Sequence, residues 1–211
     1  MRVVDLAQLS LAVYGLNESN FNPLWSEVKS YTDSNLGLKM SLYLNSVKKI
    51  GAVAIRGSDN EANVVEDLKY VVYADLHNLY KSIIQFVGTV KKGKLYPGYK
   101  IDYITGHSLG GIMAKMVAPV TKTTTIAFNA SGVRTYCIQN RLNTNISSVV
   151  KTYISKGDIV GHFREVEDFG NHYEVVVNGV KEIKLLDAKS QHSMTNLFNT
   201  LTTNSIGLNQ C

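Results

Sequence analysis

The stretch YITGHSLGG (residues 103–111) decides how this chain folds. It contains the pattern Gly-x-Ser-x-Gly, which places its serine on a very tight turn between a strand and a helix. The flanking sequence supplies both elements. The apolar run IDYIT (101–105) is typical of a buried strand, and IMAKMVAPV (112–120) has helical character until Pro119, which we expect to end the helix. This stretch therefore predicts a strand–turn–helix unit.

Ser108 lies at the centre of that turn. Glycine at positions 106 and 110 lets the backbones of the strand and the helix approach each other without a side-chain clash. The turn holds the hydroxyl at its tip, and the N-terminus of the following helix stabilises negative charge nearby. We therefore predict that Ser108 is a nucleophile. The alternative is a glycine-rich turn in which the serine is a spectator.

Strands and helices alternate on both sides of this unit, which predicts an α/β fold with a mostly parallel central sheet flanked by helices. The other predicted elements are a first helix within residues 1–15, a hairpin of LKMSLYLNS (38–46) and KKIGAVAIRG (48–57), a helix-like stretch over 61–73, a helix from Leu76 to near Gly93, strands at 123–130 and 147–155, and a last helix over 191–201.

Two further stretches carry local predictions. Residues 15–36 are rich in Asn, Ser and Gly, and we expect a loop there with at most one short helix. The segment HYEVVVNGVKEIKLL (172–186) has Asn178-Gly179 between two alternating arms, which is a strong hairpin signal. It predicts a C-terminal β-hairpin.

The composition excludes several classes of protein. The chain has 211 residues, of which 45% are hydrophobic and 18% charged, and this balance rules out a disordered chain. No apolar run approaches the roughly 20 residues that a membrane-spanning helix needs. Because no Pro-rich or Gly/Ser-rich linker interrupts the sequence, we expect one domain over residues 1–211.

The net charge of +5 is spread along the chain, with short lysine clusters only at 48–49 and 91–94. A nucleic-acid-binding protein usually gathers its charge on one face between aromatic residues, so we expect no nucleic-acid partner. Weak attraction to anionic lipid leaves peripheral contact with a membrane open. Nothing in the sequence indicates an oligomeric state.

The two cysteines, Cys137 and Cys211, do not form a disulfide framework. The first 15 residues predict an amphipathic helix packed on the fold rather than a secretion signal. The cytoplasm is therefore the expected compartment by default, and export by a route without a signal peptide remains an alternative.

A serine nucleophile needs a base that an acid holds in place, and in α/β-hydrolases these follow in the order Ser, Asp or Glu, His. Three histidines follow Ser108 in the chain, namely His162, His172 and His192. His172 opens a predicted strand, whereas His192 lies in a loop directly before the last helix. We therefore predict that His192 is the base, with His162 and His172 as weaker candidates.

Asp158 is the best candidate for the acid, because the sequence KTYISKGDIV (151–160) places it directly after a buried strand. Asp168 and Asp187 compete with it. Asp168 lies in a polar loop, and Asp187 is only five residues from His192.

Acyl transfer also needs hydrogen-bond donors for the developing oxyanion. One is expected to be the backbone N–H of Leu109, the residue after the nucleophile. The other is expected from a loop after an earlier strand, and AVAIRGSDN (52–60) supplies such a loop. The N–H of Ser58 is our candidate for this second donor.

Taken together, these residues resemble the class 3 lipase family, the α/β-hydrolases that include the lipases of filamentous fungi. The local similarities are IRGS (55–58) to the end of the oxyanion strand, EDL (66–68) to a family Asp-Leu, GHSLGG (106–111) to the nucleophile motif, GDIV (157–160) to the loop of the acid, and HSMTNLF (192–198) to the region of the base.

The resemblance implies an α/β-hydrolase fold with Ser108 as nucleophile, Asp158 as acid, His192 as base, and Ser58 with Leu109 as oxyanion donors. It implies no metal ion and no organic cofactor. The expected activity is that of a serine carboxylic-ester hydrolase, a lipase or esterase, acting through an acyl-enzyme on a lipid or a small acyl ester. Phospholipid is one of the substrates left open.

Two alternatives belong to other functional classes. The first is a catalytically silent binding protein that keeps the hydrolase scaffold, since a fold alone does not fix a function. The second is an acyltransferase or amidase that uses the same triad. No sequence feature indicates acyl-chain length or head-group preference.

Overall fold

A central sheet organises the part of the chain that the structure describes. The computed structural model describes residues 1–15, 22–57, 76–92, 95–146, 149–158, 160, 168–175 and 193–203. Within these residues the strands are β1 (Trp25–Asp33), β2 (Leu38–Asn45), β3 (Ile50–Ile55), β4 (Lys100–His107), β5 (Thr124–Phe128), β6 (Val150–Ser155) and β7 (Asn171–Val175). The helices are α1 (Val3–Ala12), α2 (Leu76–Lys91), α3 (Leu109–Thr121), α4 (Arg134–Gln139) and α5 (Met194–Thr203).

The strands lie in the sheet in the same order as in the chain. The first three run antiparallel to one another, and β3 to β7 are parallel throughout. The predicted α/β class, the mostly parallel sheet and the β2–β3 hairpin are therefore confirmed.

The constant direction of the strand order decides which face each helix covers. Connections between parallel strands of one sheet are right-handed, and here each new strand is added on the same side of the previous one. The helices in these connections therefore all lie on one face of the sheet. Accordingly, the apolar side chains of α2 and α3 pack with those of β2, β3 and β4, and α4 packs with α3 and the start of β6. The opposite face is covered by α1 and α5, which also contact each other.

The loop predicted for residues 15–36 is wrong over Trp25–Asp33, where the chain forms β1. This strand lies at the edge of the sheet, and most of its side chains are exposed on both faces. A register shift between Glu27 and Lys29 also interrupts its pairing with β2. Because an edge strand that buries so little needs no alternating apolar residues, its sequence carries no strand pattern.

The helix end predicted at Pro119 is also wrong, because α3 continues to Thr121. A proline removes only the one hydrogen bond from its own position to the carbonyl four residues back, and its fixed φ near −65° is close to that of a helix, so the chain keeps helical geometry for two more residues. The helix ends at Lys122, which has the left-handed φ of 50° and whose N–H donates to the carbonyl of Ala118 (2.9 Å).

The C-terminal hairpin predicted over 172–186 is described only at its start. Its first residues belong to β7, which pairs in parallel with β6. The Asn178-Gly179 turn and the second arm lie outside the described residues, as does the helix-like stretch 61–73. None of the described helices is long and apolar enough to span a membrane.

Candidate active site

Ser108 joins the end of β4 to the start of α3 in a strained backbone conformation. Its φ is 55° and its ψ is −127°, values that a residue with a side chain rarely adopts. Two hydrogen bonds hold it there: its N–H donates to the carbonyl of Phe128 (2.9 Å), and its carbonyl accepts the N–H of Ile112 (3.0 Å). The strand–turn–helix predicted from the sequence is present, with a buried serine at its apex.

The glycines of the elbow are required by backbone contacts. A Cβ atom on Gly106 would lie 2.5 Å from the carbonyl group of Gly110. A Cβ atom on Gly110 would collide with the carbonyl oxygen of Ile55 and would lie 2.9 Å from the nitrogen of Gly57. The last residue of β3, the end of β4 and the first turn of α3 therefore meet backbone to backbone.

Gly57 brings the exit of β3 directly against the elbow. A Cβ atom at this position would lie 2.7 Å from the carbonyl oxygen of His107 and 3.3 Å from Cβ of Ser108. Ser58, the predicted oxyanion donor, is the next residue and lies outside the described residues. Leu109, the other predicted donor, is the first residue of α3.

Asp158 lies just beyond β6, at the same carboxyl edge of the sheet as Ser108. It is fully buried, and its N–H donates to the carbonyl of Ser155 (2.9 Å). Only β5 separates β4 from β6. Two strand spacings correspond to roughly 10 Å between backbones, which leaves room for one intervening side chain between a serine and a carboxylate.

Asn129, which the sequence analysis did not single out, forms hydrogen bonds between the ends of β5 and β6 at this edge of the sheet. It follows β5 with a left-handed φ of 46°. Its N–H donates to the carbonyl of Tyr153 (2.9 Å), and its side-chain oxygen accepts the N–H of Ser155 (2.8 Å). The end of β6, which leads to Asp158, is therefore hydrogen-bonded to the residue that follows β5. The last residue of β5, Phe128, in turn accepts the N–H of Ser108.

The competing acid Asp168 lies just before the start of β7, three strands away from β4. Its Oδ2 accepts from Nζ of Lys115 (2.5 Å), an amino group on α3 that is completely buried and also donates to the carbonyl of Ala130 (3.3 Å). Burial lowers the pKa of Lys115, and the Asp168 carboxylate opposes that shift. Asp168 therefore neutralises a buried cation instead of facing Ser108.

His172 lies on β7, paired with Thr152 of β6 and therefore three strands away from β4. Its side chain is exposed, and its Nε2 lies 3.5 Å from Oδ2 of Asp168. Partial burial lowers the pKa of His172, and the nearby Asp168 works against that lowering. The structure thus does not bring His172 to Ser108.

His192, the predicted base, lies outside the described residues, as do His162 and Asp187. The residue that follows it, Ser193, begins the last helix: its carbonyl accepts the N–H of Leu197 (3.1 Å). This helix, α5, packs against α1 on the face of the sheet opposite α3. The segment that carries the predicted base therefore leads into a helix on the face of the sheet opposite α3.

Tyr14 is a second residue that the sequence analysis missed. Its hydroxyl accepts the N–H of Gly57 (3.0 Å) and lies 3.2 Å from Nδ1 of His107. No local pattern could have revealed this contact, because it joins residues far apart in the chain. Among the described residues, no three His, Cys, Asp or Glu side chains are grouped to hold a metal ion.

Comparisons with known proteins give matches to both the sequence and the fold of this chain. A family model described as phospholipase-like, a Tle-like phospholipase domain, matches residues 6–209. The extracellular phospholipase A1 of Serratia liquefaciens is 25% identical over 202 residues, which are 90% of this chain and 58% of that protein. The chain thus spans less than two thirds of the length of this curated relative.

Solved lipase structures share the architecture. Lip2 lipase from Yarrowia lipolytica matches with a TM-score of 0.56 and 17% identity, over 83% of this chain and 77% of that chain. The native Rhizomucor miehei lipase–propeptide complex matches with a TM-score of 0.59 and 16% identity, over 98% of this chain and 80% of that chain. The α/β-hydrolase fold and the resemblance to fungal class 3 lipases are confirmed.

Proposed function

Because the chain belongs to the family of Tle-like phospholipase domains, we propose that it is a serine carboxylic-ester hydrolase that cleaves acyl esters of phospholipids. One observation carries the proposal: Ser108 is held at φ 55° on the turn between β4 and α3, at the sheet edge where Asp158 is buried. A serine on a strained strand-to-helix turn, with a carboxylate buried two strands away, leaves the place between them for the base that a serine nucleophile needs.

The reaction proceeds in two halves. The Oγ of Ser108 attacks the ester carbonyl while His192 accepts its proton, and Asp158 holds the resulting imidazolium in place. The backbone N–H groups of Ser58 and Leu109 stabilise the oxyanion of the tetrahedral intermediate. When the carbon–oxygen bond to the alcohol breaks, His192 returns the proton to the leaving oxygen. Water, deprotonated by His192, then attacks the acyl-enzyme, and His192 returns this proton to the Oγ of Ser108 as the bond to the acyl carbon breaks and the fatty acid is released.

A phospholipid is favoured over a neutral ester by two observations. The matching family model and the Serratia relative are both described as phospholipases, and the chain carries a net charge of +5, which attracts anionic head groups.

The test compares the wild-type protein with Ser108→Ala and with Ser41→Ala, a matched control at a buried serine on β2. The substrates are p-nitrophenyl butyrate, p-nitrophenyl palmitate and phosphatidylglycerol vesicles. We expect Ser108→Ala to lose about 10³-fold or more in kcat, and Ser41→Ala to stay close to wild type. A fluorophosphonate probe should label the wild-type protein and Ser41→Ala but not Ser108→Ala.

Other outcomes would favour the other classes of function. A wild-type protein that neither hydrolyses these esters nor reacts with the fluorophosphonate is a silent scaffold. Full activity of Ser108→Ala, with its circular dichroism unchanged, would overturn the role of this serine. Faster product formation with added alcohols or amines, accompanied by the corresponding ester or amide, would identify a transferase.

A further inference from the structure

A single hydroxyl group connects three segments that meet at the proposed site. Tyr14 follows α1, Gly57 follows β3, and His107 is the last residue of β4. The Tyr14 oxygen accepts the N–H of Gly57 (3.0 Å) and lies 3.2 Å from Nδ1 of His107. The two rings also contact edge to face, with centroids 6.2 Å apart and planes at 61°.

The hydrogen bond from Gly57 to Tyr14 can affect catalysis because Gly57 directly precedes Ser58, the proposed oxyanion donor. The space beside its Cα is bordered by the Tyr14 hydroxyl, the carbonyl oxygen of His107 and Cβ of Ser108, which lie 2.5, 2.7 and 3.3 Å from where a Cβ on Gly57 would be. The peptide bond that leaves Gly57 carries the N–H of Ser58, the proposed oxyanion donor. A displacement of Gly57 therefore moves this donor relative to Ser108.

The two proposed oxyanion donors differ in how they are supported. The Leu109 N–H belongs to the first turn of α3, a helix whose start is bonded to the elbow through the Ile112 N–H and the Ser108 carbonyl (3.0 Å). The Ser58 N–H follows the end of a strand. The Tyr14 hydroxyl bonds the residue directly before it.

We propose that Tyr14 is a positioning residue for the oxyanion site, holding the exit of β3 against the nucleophile elbow at the distance that the transition state requires. This inference rests on the proposed function. The backbone N–H of Gly57 can only donate, so the Tyr14 oxygen accepts there. When His107 carries its proton on Nε2, its Nδ1 accepts the Tyr14 O–H, and the hydroxyl joins both sides of the site.

Tyr14→Phe removes the hydroxyl and keeps the ring. A small misplacement of an oxyanion donor affects the transition state more than the bound substrate, so we expect kcat to fall by about 10- to 100-fold with KM changed by no more than about two-fold. An alkyl boronic acid, which forms a tetrahedral adduct with a catalytic serine, should bind more weakly by about the same factor as kcat/KM falls.

The matched control is Tyr96→Phe. The Tyr96 hydroxyl, like that of Tyr14, is hydrogen-bonded to a backbone group: it donates to the carbonyl of Val28 (3.3 Å). Tyr96 lies on the segment between α2 and β4, at the amino end of β4 and away from Ser108. We expect its kcat and its boronic acid affinity to match the wild-type values. All rates are expressed per active site, by fluorophosphonate titration run to completion below the unfolding temperature of each variant.

Ser108→Ala is measured alongside, so that the two hypotheses fail in different ways. Retention of activity by Ser108→Ala would overturn the proposed function itself. If Ser108→Ala is inactive while Tyr14→Phe has wild-type kcat and boronic acid affinity, the role of Tyr14 is wrong and the hydrolase stands. If the activity lost in Tyr14→Phe is recovered when rates are expressed per active site, the proposed role of Tyr14 is also wrong.

A second pair of variants keeps the inference testable if Tyr14→Phe does not fold. His107→Asn retains a hydrogen-bonding group near the position of Nδ1, whereas His107→Leu has none. We expect kcat of His107→Asn to exceed that of His107→Leu by about three- to ten-fold at similar KM, because only the first keeps a hydrogen-bonding group at position 107 for the Tyr14 hydroxyl. Equal kcat values would contradict the role of the Tyr14–His107 contact.

Discussion

The carbonyl oxygen of Ile55 occupies the place where a side chain on Gly110 would put its Cβ atom. The same Cβ would lie 2.8 Å from the carbonyl carbon of Arg56. Both neighbours are backbone atoms at the end of β3, which cannot rotate away as a flexible side chain could. The first turn of α3 and the strand that leads to the proposed oxyanion donor are thus fitted to each other without spare space.

Gly110→Ala should therefore destabilise the fold and displace the elbow. Overpacking of this kind costs about 3 kcal/mol or more when backbone must move, and we expect kcat per folded molecule to fall as well. Urea unfolding and ester hydrolysis measure the two effects. Gly88→Ala is the control, because a Cβ on this helical glycine of α2 meets nothing within 4 Å. It should leave activity intact and raise stability by roughly 0.5–1 kcal/mol. A Gly110→Ala variant as stable as Gly88→Ala would refute the argument.

The two candidate acids should respond differently to the same substitution. Asp158→Asn should lower kcat by about 10³- to 10⁴-fold with little change in KM, because the imidazole loses the carboxylate that orients it. Asp168→Asn should lower stability but keep kcat per folded molecule, since Asp168 is paired with Lys115 and precedes a strand three places away from β4. Kinetics normalised by active-site titration distinguish the two. The reverse pattern would make Asp168 the acid.

The buried ion pair gives a separate prediction on stability. Lys115 has no solvent exposure and is held 2.5 Å from Asp168, so Asp168→Ala leaves a buried cation without its counter-charge. The expected cost is about 3–5 kcal/mol in the free energy of unfolding. The double variant Lys115→Met/Asp168→Ala should recover most of that loss, because it removes both charges. A double variant no more stable than Asp168→Ala would show that the cost has another source.

His172 should make stability fall on acidification. Partial burial lowers its pKa from the usual 6.5, although Asp168 opposes the shift and Lys115 adds to it. The unfolded chain therefore binds this proton more readily, and the contribution is present above about pH 6.5 and lost as the pH falls through the lowered pKa. The free energy of unfolding, measured from pH 7 to pH 5, should fall less in His172→Gln than in wild type. Parallel curves would exclude His172 as a source of the pH dependence.

Cys137 should be chemically inert in the folded protein. It is fully buried on α4, and burial raises the pKa of its thiol to about 12. Because the thiolate is the reactive form, the variant Cys211→Ser, which retains only Cys137, should not react with a disulfide reagent at pH 8. One thiol should appear on unfolding in guanidinium. Rapid reaction of the native variant would mean that the helix opens readily.

The centre of the fold could be predicted because its sequence and its burial agree. The strands β3 to β6 are buried on both faces and carry apolar runs, and glycines flank Ser108 because backbone contacts exclude any other residue there. The periphery could not be predicted in the same way. In β1, pairing with β2 rather than burial supports the strand, so polar residues such as Glu27 and Lys29 form it without a visible pattern.

The site was predictable where one element contains it and not where distant elements build it. Ser108 and Leu109 follow from one local motif, and Asp158 follows from its place after a buried strand. Tyr14 and Asn129 act through hydrogen bonds to residues on other elements, and only the folded chain brings those partners together. The catalytic roles of all five residues singled out from the sequence remain predictions, and two of them, Ser58 and His192, also lie outside the described residues.

The packing of α1 and α5 together on one face of the sheet affects the order in which the chain folds. These helices stand near the two ends of the chain and contact each other across one face of the sheet. Contacts between residues so far apart close a very long loop and form late, whereas α2 and α3 pack on strands that are their neighbours in sequence. His192 lies two residues before α5 in the sequence. The late packing of α5 on the sheet would therefore also bring in the segment that carries the proposed base. A chain still emerging from the ribosome would then carry its nucleophile without the group that activates it.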